Sequence, residues 1–367
     1  MSFESGSVAF RIFYLGHAMP KDAIERFAKH AAPPLKSIGT EPAQGWVGGR
    51  HLLDVPITED NAMYAGYLRL VLMKAERKVP TSLLRAECML EEVAWLRAEN
   101  KQFVDRKTRS EIRKQVLARL LPDMPPTLKG IPFVYDSRAR LVYAGALSEK
   151  QTDAFTFHFH NTTGIKLIPV VVATAAAERH KIDVREWTRT SFSPEVPDEE
   201  MEDTPGLDFL TWVWFVSEAR GGIFKSKEFG DVGVALEGPL LVTRAGAGAH
   251  EITLRKGLPT VSAEAKTALL SGKKLRRAKL LIARADEAWS CSFDTELFVF
   301  RSLKLPEPKE ILEPASRFQD RMLKIDAFRC ILLELFDRFL AERSDAKKWD
   351  AAQQEIHKWA AARSTRR

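Results

Sequence analysis

The sequence predicts an α+β fold in which antiparallel sheets pack against helices, with a projecting helical hairpin and a C-terminal helix. Three observations lead to this prediction. Short apolar runs bounded by turn residues recur in both halves of the chain, as is typical of antiparallel strands. Two helix-forming segments follow each other with only a short polar break at 102–107, which indicates a helical hairpin. Near the C-terminus, apolar residues recur every three or four positions, as in a long amphipathic helix.

The first third of the chain is predicted to form strands and helices followed by the hairpin. In order, the predicted elements are a strand at 8–16 (VAFRIFYLG), a helix at 21–31, a strand at 65–78, and helices at 81–101 and 108–121. Pro80 suits the first turn of a helix, because the N–H that proline lacks would have no partner there. Pro122, Pro125 and Pro126 end the second helix of the hairpin, since proline cannot continue a helix.

The rest of the chain alternates between predicted strands and helices. The predicted elements are a β-hairpin at 131–145, strands at 208–218, 232–244, 250–258, 276–284 and 289–305, and a helix at 262–272. Residues 148–164 fit either structure, because three phenylalanines alternate as in a strand while Ser148 and Gly164 are typical helix ends.

A long apolar stripe marks the C-terminal helix. Its members are Phe318, Met322, Ile325, Phe328, Leu332, Leu335 and Phe339. The stripe would bury against the core or against a second subunit, and the pattern alone leaves both open. The predicted elements group into a central domain (1–80 with 130–196), a projecting hairpin or tip (81–129), a base of sheet plus C-terminal helix (197–342) and a basic tail (343–367).

The composition is typical of a globular protein in a reducing compartment. The 367 residues are 45% hydrophobic and 29% charged. Three widely spaced cysteines, Cys88, Cys291 and Cys330, disfavour a disulfide framework. Glu4 stands where a signal peptide would have basic residues, and the longest apolar run, 167–177, is too short to span a bilayer. We therefore expect a cytoplasmic protein with no membrane partner.

Positive charge is concentrated in two segments of the chain. Residues 97–119 hold eight basic and three acidic side chains, and residues 273–284 hold six basic and no acidic ones. Because the whole chain has a net charge of only +7, the remainder is net negative, at −4. Focused positive charge on a mildly acidic body is typical of proteins that bind an extended polyanion.

The two basic segments supply the candidate binding residues. In a strand over 276–284, Ala278, Leu280 and Ile282 would face the core while Arg277 and Lys279 face outward beside Leu281. The candidate phosphate contacts are Arg277 and Lys279, then Lys273, Lys274 and Arg276, and in the hairpin Arg106, Arg109 and Arg113 with Lys101, Lys107 and Lys114. A solvated surface is the alternative for either segment, but two such segments together favour a binder of phosphate backbones.

The sequence carries no recognisable catalytic or cofactor motif. It has no G-x-S-x-G, no C-x-x-C and no complete phosphate-binding loop. His158 and His160 could share a metal ion only on a strand, where alternate side chains point the same way. The carboxylates of 198–203 could hold Mg²⁺ in a nuclease, although a solvated loop is favoured. We expect no enzyme activity, metal or cofactor; a metal-dependent nuclease and a protein-interaction scaffold stay open as alternatives.

The order of several short motifs resembles the RdgC family of bacterial recombination-associated DNA-binding proteins. The motifs are GWV (45–47), AERKVP (75–80), RKQVLARLLP (113–122), GIPFVYDSRARLVYAGALSEK (130–150), IKLIPV (165–170), GKKLRRAKLLIA (272–283) and SRFQDRMLKIDAFRCILLELFDRFL (316–340). Each is weak by itself, but their collinear order extends over most of the chain. Residues 123–126 (DMPP) depart from the basic and aromatic residues that commonly follow the LLP motif.

The resemblance implies a ring-shaped homodimer whose basic central hole holds double-stranded DNA, and single-stranded DNA as a further possibility. Such proteins bind DNA with little sequence preference, lie in the nucleoid and restrain RecA-driven strand exchange. The resemblance also implies that 148–163 is helical and that 273–284 lines the hole. It places Leu121 and Met124 at one dimer contact and Phe328, Leu332, Leu335 and Phe339 at the other.

Overall fold

The computed structural model describes residues 3–244, 251–308, 310 and 312–362. Within these residues, thirteen strands form one antiparallel sheet and pack against helices, which confirms the predicted α+β class. The strands are β1 Val8–Leu15, β2 Ala43–Gly48, β3 Met63–Tyr64, β4 Tyr67–Arg77, β5 Pro126–Asp136, β6 Leu141–Ala144, β7 Leu167–Pro169, β8 Ile223–Ser226, β9 Gly230–Thr243, β10 Glu251–Leu254, β11 Lys274–Arg284, β12 Glu287–Asp294 and β13 Val299–Lys304.

The described part of the chain also contains ten α-helices. They are α1 Ala23–Lys29, α2 Glu59–Ala62, α3 Thr81–Ala98, α4 Arg106–Leu120, α5 Glu149–Thr163, α6 Val172–His180, α7 Pro205–Ala219, α8 Ala263–Leu270, α9 Pro314–Arg343 and α10 Ala346–Ala361. The main order of strands across the sheet is β10-β9-β11-β12-β13-β1-β6-β5-β4-β2, while β3, β7 and β8 pair with β4, β1 and β9.

Strand β1 joins the two halves of the sheet. It pairs with β6 on one side and, on the other, with β13 along residues 8–11 and with β7 along residues 13–15. Because side chains alternate along a strand, Phe10 and Ile12 enter one hydrophobic core while Phe13 enters the other. The predicted boundary between central domain and base therefore lies within a continuous sheet, and the domain division stays a prediction.

The two cores lie on opposite faces of the sheet. The larger one packs α6, α7, α9 and α10 against the strands of the C-terminal half, with Ala278, Leu280 and Ile282 of β11 on its sheet side. The smaller one packs α1 and α5 against the N-terminal half through Trp46, Phe133, Phe155 and Phe159. The C-terminal strands consequently turn their second face away from the larger core.

The helical hairpin is inserted between β4 and β5. Helix α3 leads outward and α4 returns, so the free end of the hairpin lies at residues 99–105. At 1.5 Å per residue, the 18 residues of α3 extend about 27 Å. The helices contact each other through a small apolar cluster that includes Leu84, Ile112 and Val116. Arg119 of α4 donates to Glu87 and Glu91 of α3 at 2.8 and 2.7 Å, which adds an exposed ionic contact between them.

Residues 148–163 are helical, as the resemblance implies. The Ser148 hydroxyl accepts a hydrogen bond from the Gln151 N–H at the start of α5, and Gly164 ends the helix in the left-handed conformation with φ of 76°. Phe155 and Phe159 are buried, whereas Phe157 is 62% exposed. The alternation of the three phenylalanines therefore does not reflect a strand.

The strand predicted at 208–218 is wrong, because these residues belong to helix α7. All nine residues from Leu207 to Phe215 are buried. A helix that is enclosed on every side has no polar face, so its sequence loses the helical period and resembles a buried strand.

The apolar stripe of α9 faces the protein's own core, so the expected dimer contact through it is wrong. Phe328, Leu332, Leu335 and Phe339 are each at most 2% exposed within the single chain. Of the two alternatives, burial against the core is the one that the structure supports.

The segment 343–367, which the sequence presents as a basic tail, is largely helix α10. Trp349, Ala352, Ile356 and Ala360 of this helix are buried in the larger core. Residues 363–367, together with His250 of the strand predicted at 250–258, lie outside the described residues.

Candidate nucleic-acid interface

Strand β11 presents Arg277 and Lys279 on the face that points away from the larger core. Ala278, Leu280 and Ile282 are each 1% exposed, whereas the side chains of Arg277 and Lys279 are 38% and 42% exposed. The alternation predicted for 276–284 is thereby confirmed. Leu281, the outward neighbour of Lys279, is partly exposed.

Strand β13, on the far side of β12, extends this basic surface. Arg301 pairs in register with Ser292, which lies opposite Lys279 of β11, and Lys304 pairs with Ser290, which lies opposite Leu281. Directly paired residues share a face of the sheet. We call this surface the open face and define its cations as Arg277, Lys279, Arg301, Lys304 and Arg255.

Arg255 follows strand β10 and lies at the side of the open face. A cleft of about 340 Å³ separates it from Arg277 and is also lined by Pro239, Leu241 and Thr253. Arg255, Arg301 and Lys304 were not candidates in the sequence, because they stand outside the two charge-dense segments. Register alone brings them together: strict alternation along β13 would place Arg301 and Lys304 on opposite faces, and an irregularity in the pairing of β12 with β13 brings both to one face.

Two carboxylates moderate the charge of the open face. The Lys279 ammonium lies 2.7 Å from Glu237, which is 52% exposed on β9. The Arg277 guanidinium lies 3.9 Å from Asp294, which is only 3% exposed. Because exposed ion pairs contribute little free energy, Lys279 remains able to exchange Glu237 for another anion.

Lys274 is not on this surface, and its expected role as a phosphate contact is corrected. Its side chain is 1% exposed, and its ammonium donates to Asp208 of α7 at 2.5 Å and to the Thr204 hydroxyl at 3.1 Å. Burial raises the pKa of the Asp208 carboxyl, and the Lys274 ammonium opposes that shift. A β-bulge lies between Leu275 and Arg277, so the alternation of the strand that follows does not extend to residue 274.

The other candidates of this segment occupy intermediate positions. Lys273 is partly exposed and donates to the Ser271 hydroxyl at 3.0 Å. Arg276 lies 2.7 Å from Glu296 and also lines a cleft of about 380 Å³ near the start of α7. Both side chains are accessible, so their expected contacts with phosphate stay predictions.

The candidate cations of the hairpin are exposed along α4. The helix begins at Arg106, so Arg106, Arg109 and Arg113 form the expected row on one face. Lys107 and Lys114 are likewise exposed. Asp105 caps the helix by accepting from the backbone N–H groups of residues 107 and 108, and the bond from Thr108 lowers its pKa.

Two hairpin cations are already engaged with side chains of α3 or of the adjoining loop. Arg109 donates to Glu92 at 3.1 Å. The Lys101 ammonium lies 4.8 Å from the centroid of the Trp95 ring and 4.0 Å from Glu99. These exposed contacts are weak, so they leave both cations free to exchange partners.

The two basic segments do not form one site within a single chain. Strand β11 and strand β5, next to which the hairpin is rooted, are five strands apart in the sheet. At ~4.8 Å between strands this separation is about 24 Å. A ligand that touches both segments must therefore be extended.

Leu121 and Met124 lie at the root of the hairpin rather than at its free end. Both are partly exposed, and the Arg77 guanidinium donates to the Met124 carbonyl. The free end instead carries Phe103, which is 76% exposed, and α3 exposes Met89, Leu90 and Val93 on one side. The dimer contact expected at Leu121 and Met124 stays a prediction.

The side chains considered for metal binding are separated or engaged with other groups. His158 and His160 lie on helix α5, where neighbours two apart diverge, and His158 contacts Gln44 at 2.7 Å. Asp198 accepts from the Ser191 N–H at 2.6 Å and from Gln353 at 2.9 Å. Among the described residues, no three His, Cys, Asp or Glu side chains are grouped so that they could hold a metal ion.

The helices over the described ranges are also too short or too polar to cross a membrane.

Comparison with known families identifies the N-terminal half of the chain. A family model described as "RdgC: Putative exonuclease, RdgC" matches residues 12–196, just over half of the 367 residues. No curated protein matches the chain. The matched range includes the hairpin and ends before β11, so the open face lies outside it.

Proposed function

The chain belongs to the RdgC family, and on that premise we propose that it binds double-stranded DNA without sequence preference and restrains RecA-dependent recombination. Family membership supports a nucleic-acid-associated role related to recombination. The finer proposal rests on the open face, where Arg277, Lys279, Arg301 and Lys304 project from β11 and β13, the two strands that flank β12 in the sheet.

Cations on a sheet suit the phosphate backbone better than the bases. Lys and Arg contacts with phosphates give affinity and orientation but carry little sequence information. The side chains of β11 and β13 are fixed by the register of the strands, so they present a row of charges rather than an element that enters a groove. We therefore expect similar affinity for unrelated duplexes.

The proposal includes a homodimer that encloses DNA. The outward side of α3, with Met89 at 62% and Leu90 at 66% exposure, is an apolar surface on a projecting element, and such surfaces are common at protein contacts. A second copy joined there would add its own open face to the DNA path. Light scattering should give a mass near twice 41.4 kDa, and Leu90→Asp should shift the protein toward the single-chain mass.

The first test is binding to a labelled duplex of about 30 base pairs, followed by fluorescence anisotropy at increasing salt. Each engaged phosphate contributes about −0.9 to the slope of log affinity against log salt, so the four cations on β11 and β13 predict a slope of about −4. Replacing Arg277 and Lys279 together with glutamine should bring the slope to about −2 and weaken binding to every sequence by a similar factor.

A matched control keeps the same change in net charge. Lys347 and Lys348 are exposed on α10, which packs against the opposite face of the sheet. Replacing both with glutamine should leave the slope near the wild-type value. A slope that responds equally to both double variants, or no binding by the wild-type protein at 50 mM salt, would count against the open face as the DNA site.

The printed family description favours one second candidate, an exonuclease. The same labelled duplex tests it directly. Shortening of the DNA that requires Mg²⁺ and stops on addition of a chelator would establish nuclease activity, whereas intact DNA in both buffers would favour a binding role.

Restraint of RecA is measured in a separate experiment, as slower RecA-driven strand exchange on DNA that has been preincubated with this protein.

A further inference from the structure

A buried carboxylate lies among three arginines at the edge of the open face. Asp294 ends strand β12 and is 3% exposed. Its two carboxylate oxygens lie 3.8 Å from the Arg276 Nε, 3.9 Å from the Arg277 Nη1 and 3.6 Å from the Arg301 Nη1. One negative charge is thus shared by three positive ones.

The cluster holds more donors than Asp294 can satisfy. All three separations exceed hydrogen-bonding distance, and the buried Arg276 Nε, Arg301 Nη1 and Asp294 Oδ1 make no hydrogen bond to the protein. Arg276 has a closer partner in Glu296, and Arg301 donates through its Nη2 to the Leu147 carbonyl at 3.0 Å. Arg277 and the outer part of Arg301 therefore keep capacity for a further anion.

We propose that Asp294 positions Arg277 and Arg301, with Arg276 beside them, as a binding site for one phosphate of the DNA backbone. This inference rests on the proposed function and identifies how part of the open face would work. Guanidinium groups this close repel one another, and the carboxylate between them offsets that repulsion. Two planar guanidiniums held in this way can each donate paired N–H groups to phosphate oxygens.

The surroundings leave room for such an anion. The side chains of Arg277 and Arg301 are 38% and 31% exposed, so both guanidiniums can be reached by a ligand. On the side away from β13, Arg277 also lines the cleft of about 340 Å³ that it shares with Arg255. Thr253 lines that cleft and has a hydroxyl that can donate to a neighbouring phosphate. Asp294 itself is only 3% exposed, so it acts as a positioning residue and does not face the ligand.

Replacing Asp294 with asparagine distinguishes positioning from simple charge. If only net charge matters, Asp294→Asn makes the face more basic and should tighten DNA binding. If Asp294 positions the arginines, the same change should weaken binding about three- to tenfold and reduce the steepness of the salt slope by about 0.9, because one phosphate contact is lost.

Glu237→Gln is the matched control, because it removes an exposed carboxylate from the same face. It frees Lys279 and should tighten binding under either mechanism. Arg301→Lys provides a second variant that keeps the charge at every position; it should weaken binding because a lysine lacks the planar fork. Circular dichroism spectra and urea unfolding identify any variant that fails to fold.

The outcomes separate the inference from the proposed function. Tighter binding by Asp294→Asn, at the level of Glu237→Gln, would overturn the positioning role while leaving DNA binding intact. Unchanged affinity of Arg301→Lys would overturn it as well. Absence of DNA binding by the wild-type protein would instead overturn the proposed function on which the inference rests.

Discussion

At the scale of single residues, two consecutive lysines have different surroundings. Lys273 is partly exposed ahead of the bulge in β11, whereas Lys274 is enclosed between β11 and α7 beside Asp208. A buried ion pair adds little to stability as a pair, but removal of one partner leaves an uncompensated charge in the core. Substitution of Lys274 is therefore expected to lower the free energy of unfolding far more than substitution of Lys273.

We expect Lys274→Met to lower the free energy of unfolding by about 3–5 kcal/mol, because Asp208 would lose its buried partner. Lys273→Met, at the neighbouring position, should change it by no more than about 0.5 kcal/mol. Urea unfolding followed by tryptophan fluorescence measures both variants. Similar stability of the two would show that the Lys274–Asp208 contact is not formed in solution.

The difference between these lysines could not be predicted from the sequence. Both belong to a run of basic residues, and alternation over 276–284 correctly separated Arg277 and Lys279 from the core residues. The bulge after Leu275 breaks that alternation, and the position of Asp208 depends on α7, which was predicted to be a strand. The burial of Lys274 could be predicted only if the position of helix α7, which carries Asp208, were known.

At the scale of elements, helix α10 holds a loop against the core. Trp349 is 4% exposed, and its indole N–H donates to the Thr190 hydroxyl at 3.2 Å. Gln353 one turn later donates to the Ser191 carbonyl at 3.2 Å and to Asp198 at 2.9 Å. The segment around 190–198 is therefore fixed by the helix near the C-terminus.

Trp349→Ala should lower the free energy of unfolding by about 3–5 kcal/mol, as for other large-to-small changes of buried aromatic residues. It should also make the 190–198 segment more accessible, which limited proteolysis followed by mass spectrometry can measure. Lys347→Ala, an exposed change two residues earlier, serves as the control. Equal stability and equal cleavage of the two variants would contradict a structural role for α10.

Prediction of the elements succeeded where a solvent face or a cap marks the chain. Helix α4 has a polar outer face and Asp105 as its cap, and α5 has Ser148 and Gly164 at its ends. Helix α7 lacks both kinds of marker, since residues 207–215 are buried on all sides. The stripe of α9 was located correctly, but its partner could not be predicted, because an apolar stripe packs equally well against a core or a second copy.

At the scale of the whole molecule, β1 is shared by the two halves of the sheet. Phe10 and Ile12 are covered by elements of the C-terminal half, including β13 and α9, while Phe13 packs with α5. A fragment that ends at residue 196 contains the matched family region but leaves the β13 edge of β1 unpaired and one face of it uncovered.

We expect the fragment 3–196 to lack a cooperative unfolding transition, because the apolar face around Phe10 and Ile12 would be exposed to water. Near-ultraviolet circular dichroism and urea unfolding, with the full chain as reference, provide the measurement. A native near-ultraviolet spectrum together with a sharp transition would show that the N-terminal half folds independently.

Whole-molecule relations were the least predictable part of the candidate site. Arg301 and Arg277 are neighbours only because β12 lies between their strands, and 24 positions separate them in the sequence. The density of positive charge along the sequence indicated 273–284 as a candidate site. It did not indicate Arg301 and Lys304, because these cations of β13 are isolated in the sequence. A surface built from several strands is visible only when the order and the register of the strands are known.

The pairing of β1 with β13 also has a consequence for how the protein is made. Arg11 lies opposite Val299, so about 290 residues must be synthesised after β1 before its partner exists. At ~5–20 residues per second, a ribosome needs roughly 15–60 s for that length. During this interval the nascent N-terminal half displays an unpaired strand edge, which makes it a candidate client for chaperones that act near the ribosome exit.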